Sequence, residues 1–100
     1  MKLYIDTSSS EKIVIGLDEK RFETDARVKK AQALLPFIVE TLKKEKKTVK
    51  DITQVEVYPG PGSFTGLRVG VSVANAMGWS LGVPVNGREV SLKGLVKPDY

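Results

Sequence analysis

The chain has 100 residues, 28% of them charged and 41% hydrophobic, with a formal net charge of +4. It contains neither cysteine nor histidine, which excludes disulfide scaffolding, thiolate chemistry, and the commonest general base and metal ligand. The composition is that of one small globular domain. No apolar run is long enough for a signal peptide or a membrane span, so a cytoplasmic location without a membrane partner is expected.

Taken in chain order, residues 2–7 and 11–17 read as strands. The run Ile13-Val14-Ile15 suggests a strand covered on both faces. Residues 20–25 alternate strictly, with Phe22 and Thr24 on one side and Arg21, Glu23 and Asp25 on the other, as on a half-exposed edge strand. The three together predict an antiparallel meander. Residues 28–46 read as a helix with Ala31, Leu35, Ile38 and Leu42 on one stripe, widened by Leu34 and Phe37. Pro36 falls inside that pattern and predicts a kink, unless the helix starts near Leu35. Residues 54–58 are a fourth strand, 64–80 a second helix ended by Gly82, and 83–87 a fifth strand at an edge because of Pro84. The order βββαβαβ, with right-handed crossovers, predicts an α/β domain with a mixed five-stranded sheet and two main helices. It is the order of ribonuclease-H-like domains and of each lobe of the actin-like ATPases, so residues 1–100 are expected to form a single such lobe, the second lobe being absent.

The segment Pro59–Gly70 (PGPGSFTGLRVG) fits neither common nucleotide motif. The lysine and spacing of a Walker loop are missing, and GxGxxxG is not the dinucleotide fingerprint. Two readings stay open. Gly60, Gly62, Ser63, Phe64 and Thr65 form an anion loop in which the amides of Gly62, Ser63 and Phe64 converge at a helix N-terminus, or Ser63 or Thr65 simply caps the helix. Beyond the loop, Gly66, Gly70, Ala74 and Gly78 recur every four residues. Three helical glycines cost about 3 kcal/mol against alanine, and close approach of another backbone is the usual compensation. That backbone is either the domain's own sheet or a helix of a second chain. The surplus of apolar residues (Val69, Val73, Met77, Trp79) leads us to expect the second chain, with bulky replacements at Gly70 or Ala74 blocking association and sparing the fold.

Enzymatic alternatives are a ribonuclease-H-like metal-dependent nuclease and a nucleotide- or phosphate-binding half-domain. The nuclease needs converging carboxylates. Asp6 fills one position, but strand four ends Tyr58-Pro59-Gly60, with Glu56 two residues earlier. Asp6 is instead expected to bond the backbone or Thr7–Ser10. No catalytic residue, no metal site and no cofactor are expected, and ATP would bind only with a partner lobe to close the site. The basic excess is local: Lys43, Lys44, Lys46, Lys47 and Lys50 in one group, Arg27, Lys29 and Lys30 in another. These read as a solvated helix end or as a patch that helps hold RNA.

PGPGSFTGLRVG resembles the signature of the TsaB (YeaZ) family of the bacterial threonylcarbamoyladenosine tRNA-modification machinery. IDTSSSEKIVIGL, ALLPFIVETL and GVPVNGREVSLKGL are similar to that family's first hairpin, first helix, and following strand and helix start. The chain departs from the family at Lys30-Ala31-Gln32, where His-Ser-Glu is frequent. The resemblance implies the amino-terminal lobe of a non-catalytic scaffold that forms a homodimer or pairs with a TsaD-like protein through the two helices of this lobe. By matching position, the contacts would be Ala33, Leu34, Phe37, Ile38 and Thr41 on the first helix and Leu67, Gly70, Val71, Ala74 and Gly78 on the second. Indirect tRNA contact would run through Lys43, Lys44, Lys46, Lys47 and Lys50.

Overall fold

The structure, a computed structural model, describes residues 1–25 and 30–88. Strands β1 (Lys2–Asp6), β2 (Lys12–Leu17) and β3 (Lys20–Asp25) form the expected meander. Helix α1 (Lys30–Lys44), a one-turn 3-10 helix (Val49–Asp51), strand β4 (Gln54–Val57) and helix α2 (Phe64–Leu81) follow. The sheet order is β3-β2-β1-β4. β1 pairs antiparallel with β2 (Ile5 opposite Ile15) and parallel with β4 (Ile5 opposite Val57).

Alternation along the strands gives the sheet two unlike faces. Leu3, Ile5, Ile13, Ile15, Val55 and Val57 are buried on one face, against Leu34, Ile38 and Leu42 of α1 and Val71 and Ala74 of α2. The opposite face carries Lys2, Tyr4, Asp6, Arg21, Glu23 and Glu56. Lys2 pairs with Glu56 at 3.0 Å. The Arg21 guanidinium lies 4.6 Å from the centre of the Tyr4 ring, and it covers Gly16, where a Cβ would collide with it. β3 shows the expected edge pattern: Phe22 and Thr24 are half-buried, and Arg21, Glu23 and Asp25 are exposed.

Two expectations need correction. The first concerns α1. Its buried face is Leu34, Ile38, Thr41 and Leu42, while Ala31 is exposed and Leu35 is 48% exposed. The stripe is thus turned from the predicted one, because it meets β2 on one flank and α2 on the other. The helix runs through Pro36. Both Pro36 and Gln32, whose carbonyl loses its partner, are exposed, so water can satisfy that carbonyl. Residues 28 and 29 of the predicted helix lie outside the described residues.

The second concerns the fifth strand. Among the described residues the sheet has four strands, and only a single parallel bridge, Val55 to Val85, continues it. Val55 N–H donates to Pro84 O at 2.9 Å, and Asn86 N–H donates to Val55 O at 2.8 Å. The next step of the ladder is made by a side chain. Val57 N–H donates to Asn86 Oδ1 at 2.7 Å and Asn86 Nδ2 donates to Val57 O at 3.0 Å. The amide group thus pairs with β4 as a peptide unit would. It is free to do so because the backbone turns away: Asn86 and Gly87 have φ of 50° and 78°, and Val85 and Arg88 exchange both backbone bonds. That is a two-residue Asn-Gly hairpin turn, which ends the strand where it was expected to continue.

Candidate functional site

The glycine ridge of α2 faces inward. Gly66, Gly70, Ala74 and Gly78 are all buried against the lobe's own sheet. Thr7, the residue after β1, explains the spacing. Thr7 is 1% exposed; its hydroxyl donates to Gly66 O, while Gly70 N–H donates to it at 3.1 Å. Gly70 N–H and Gly66 O are the two groups that bond each other in an α-helix, so the hydroxyl bridges one rung of the ladder. A Cβ at Gly70 would land on Thr7 Oγ1. The close neighbour at Gly70 is therefore a side chain of this lobe, where the backbone of a second chain was expected.

Most of the other expected contact residues also point into this lobe. Leu34, Ile38, Thr41, Leu67, Gly70, Val71, Ala74 and Gly78 are buried in this lobe, and Ala33 and Phe37 are half-buried against its core. Their apolar stripes serve the lobe's own core, which leaves them little surface for a partner. What the helical pair presents outward is a different set. A groove of about 350 Å³ between the helices is lined by Leu35, Ser72, Val73, Ala76, Met77 and Ser80. It continues through Leu35 into a second depression with Pro36 and Val39, edged by the charged Glu40 and Lys43. Leu35 and Val39 are 48% and 42% exposed. Trp79 of α2 is 67% exposed.

The loop before α2 is held from within. Ser63 caps the helix, its hydroxyl accepting from Gly66 N–H at 3.5 Å, and its own N–H donates to Ser8 O at 3.0 Å. One of the three amides expected to converge on an anion is thus used by the β1–β2 loop. A Cβ at Gly62 would sit 2.7 Å from Ser8 Cβ, which accounts for that glycine by packing. Gly60 has φ of 124° and precedes Pro61 in a cis bond, and Pro61 O accepts from the Tyr58 hydroxyl at 3.0 Å. Phe64 and Thr65 are exposed, the Phe64 ring lying 5.6 Å from the Arg68 guanidinium.

Asp6 behaves as expected. Its Oδ1 accepts from Ser8 N–H at 2.9 Å and from the Ser8 hydroxyl at 2.6 Å, and Oδ2 accepts from the Tyr4 hydroxyl at 3.3 Å. Burial and then the Asp6 carboxylate raise the Tyr4 phenol's pKa above its ordinary value. Among the described residues no group of three His, Cys, Asp or Glu side chains could hold a metal ion, and no helix is long and apolar enough to cross a membrane. Lys43, Lys44, Lys46, Lys47 and Lys50 are exposed at the far end of α1 and on the turn after it. Arg27, Lys29 and the Lys30 side chain lie outside what is described.

Residues 24–91 match the family model described as TsaD: tRNA N6-adenosine threonylcarbamoyltransferase. The chain belongs to this family. Its homologues include the TsaB proteins. The tRNA threonylcarbamoyladenosine biosynthesis protein TsaB of Bacillus subtilis is 36% identical over 62 residues, 51% of this chain and 26% of that protein. An uncharacterized protein of Mycobacterium tuberculosis is 41% identical over 75 residues, 75% of this chain and 34% of that protein. YeaZ from Pseudomonas aeruginosa shares the fold, with a TM-score of 0.72 at 24% identity, over 84% of this chain and 41% of that one. The chain thus spans well under half the length of these TsaD-family relatives, a share that fits the amino-terminal lobe. The likeness to YeaZ supports an α/β lobe with a mixed four-stranded sheet and two helices.

Proposed function

We propose that this chain is a non-catalytic, cytoplasmic partner lobe in threonylcarbamoyladenosine modification of tRNA, and that it docks a TsaD-type protein. The observation that carries the docking is the outer face of α1 and α2. There Leu35 and Val39 stand 48% and 42% exposed beside Pro36 and Ala76, in a groove whose floor is Val73 and Met77. The exposed Leu35 and Val39 of α1 and the half-buried Val73 and Met77 of α2 form a continuous patch of the kind that marks a protein interface. A groove between parallel ridges accepts another helix by ridge-into-groove packing. The family membership and the biosynthetic role named for the TsaB relatives support the choice of partner.

The test is calorimetric titration of the chain with a purified TsaD-type protein, before and after Val39→Glu. Val39 is exposed, so the substitution leaves the fold intact. A carboxylate desolvated at a helix–helix contact weakens binding by about 2 kcal/mol or more, roughly 30-fold. Unchanged affinity would remove the outer face from the interface. Self-association lost with the same variant would replace the TsaD-type partner by a second copy.

A further inference from the structure

The end of the lobe where α1 stops carries a charge pattern that meets the docking face only at Lys43, at the edge of the depression around Val39. α1 closes with two stacked backbone bonds: Lys46 N–H donates to Lys43 O at 3.1 Å and Lys47 N–H to Leu42 O at 2.8 Å, with Lys46 at φ of 57°. This Schellman turn sets Lys46 and Lys47 beyond the helix, and the one-turn 3-10 helix that follows carries Lys50. Every carboxylate of this stretch is engaged. Glu40 pairs with Lys44 at 3.3 Å and Glu45 with Lys20 at 2.8 Å. Asp51 accepts from Thr48 N–H at 2.8 Å. Among the described residues, Lys43, Lys46, Lys47 and Lys50 have no carboxylate partner, and all four are exposed. The helix dipole accounts for cations in the last turn, Lys43 and Lys44, but its influence falls off within that turn and does not reach Lys47 or Lys50.

We infer that these four lysines are a docking surface for the phosphate backbone of RNA. The choice of RNA rests on the tRNA-modification reading above; the unpaired charge cluster does not. Lysines at a helix end and on the turns after it, without an aromatic residue among them, suit phosphates rather than bases. An anionic membrane fits less well. Val49 is the one large apolar side chain exposed at this end among the described residues, at 40%, and no amphipathic face accompanies it.

The experiment titrates the chain with an unmodified tRNA transcript, following fluorescence anisotropy from 50 to 200 mM salt. Neutralising about four phosphates gives a log–log salt slope near −3, so affinity falls by about 50- to 150-fold over that range. Lys46→Gln with Lys47→Gln flattens the slope by about 1.4 to 1.8. Lys12→Gln with Arg68→Gln removes the same charge from elsewhere and leaves the slope nearly unchanged. An equal loss in both double variants would overturn the proposal in favour of net charge alone. Absence of tRNA binding at 50 mM salt, or binding to phosphatidylserine vesicles in its place, would overturn it as well. Leu35→Asn separates the two readings, because Leu35 lines the groove two turns from Lys43 and the change adds no charge: it weakens docking of the TsaD-type protein and leaves the RNA slope intact.

Discussion

Gly70→Ala sets two effects of known size against each other. In an exposed helix the change stabilises by about 1 kcal/mol, since alanine is the better helix former. At Gly70 the new methyl falls on Thr7 Oγ1, a buried hydroxyl bonded to Gly66 O and Gly70 N–H. Thr7 is 1% exposed and has no open space to rotate into, so it gives up both bonds and the remaining overlap also lifts α2 from β1. Overpacking of this kind costs about 1–3 kcal/mol, and losing the buried bonds costs about 1–3 kcal/mol more, of which a re-formed helical bond returns about 1. The balance is a destabilisation of about 2 kcal/mol, or a fall in Tm of roughly 8–16 °C for a chain of this size. Urea unfolding at fixed temperature measures it. Thr7→Ala removes the obstacle: the remaining neighbour, Thr7 Cβ, lies 3.4 Å from the new methyl, an ordinary contact. In that background Gly70→Ala should be neutral or stabilising by up to about 1 kcal/mol. The reasoning fails if Gly70→Ala is at least as stable as the parent, or if its effect is the same with and without Thr7.

Three further outcomes are expected. Asn86→Ala removes both side-chain bonds to Val57 and should cost about 1–2 kcal/mol, with hydrogen exchange at the Val57 amide accelerated more than at Ile5. Lys46→Gly relieves a left-handed residue at the helix end and should stabilise by about 0.5–1 kcal/mol in thermal melts. Tyr4 holds its phenolic proton more tightly folded than unfolded, so between the unfolded value near 10 and the higher folded value the native state binds more protons. Stability therefore falls as pH rises through that window. Tyrosinate absorbance should show one tyrosine titrating late, and Asp6→Asn should bring it forward.

Much of the lobe was legible in the sequence, because strand alternation is local. The meander, both helices and the edge character of β3 follow from period-two and period-3.6 patterns. Asp6 followed from its short side chain next to three serines. The outward face of the helices did not, because a stripe of small and apolar residues looks alike whether it meets its own sheet or another chain. Only the burial of Gly66 and Gly70 under Thr7 decides between them. Leu35 illustrates the difficulty: it belongs to the predicted stripe by spacing, yet stands half-exposed in the groove. The missing fifth strand had a signal, since Asn86-Gly87 is a strong hairpin dipeptide. That the Asn86 amide itself completes the ladder on Val57 carries no local signature.

The central claim, that the outer face of α1 and α2 docks a TsaD-type protein, is tested most directly by light-scattering mass. The 11.0 kDa chain is measured alone and with that protein, as wild type and as Val39→Glu. The account expects a one-to-one complex that the Val39→Glu chain forms only at roughly 30-fold higher concentration. A complex of undiminished mass and stability with Val39→Glu, or no complex with the wild-type chain, would contradict it.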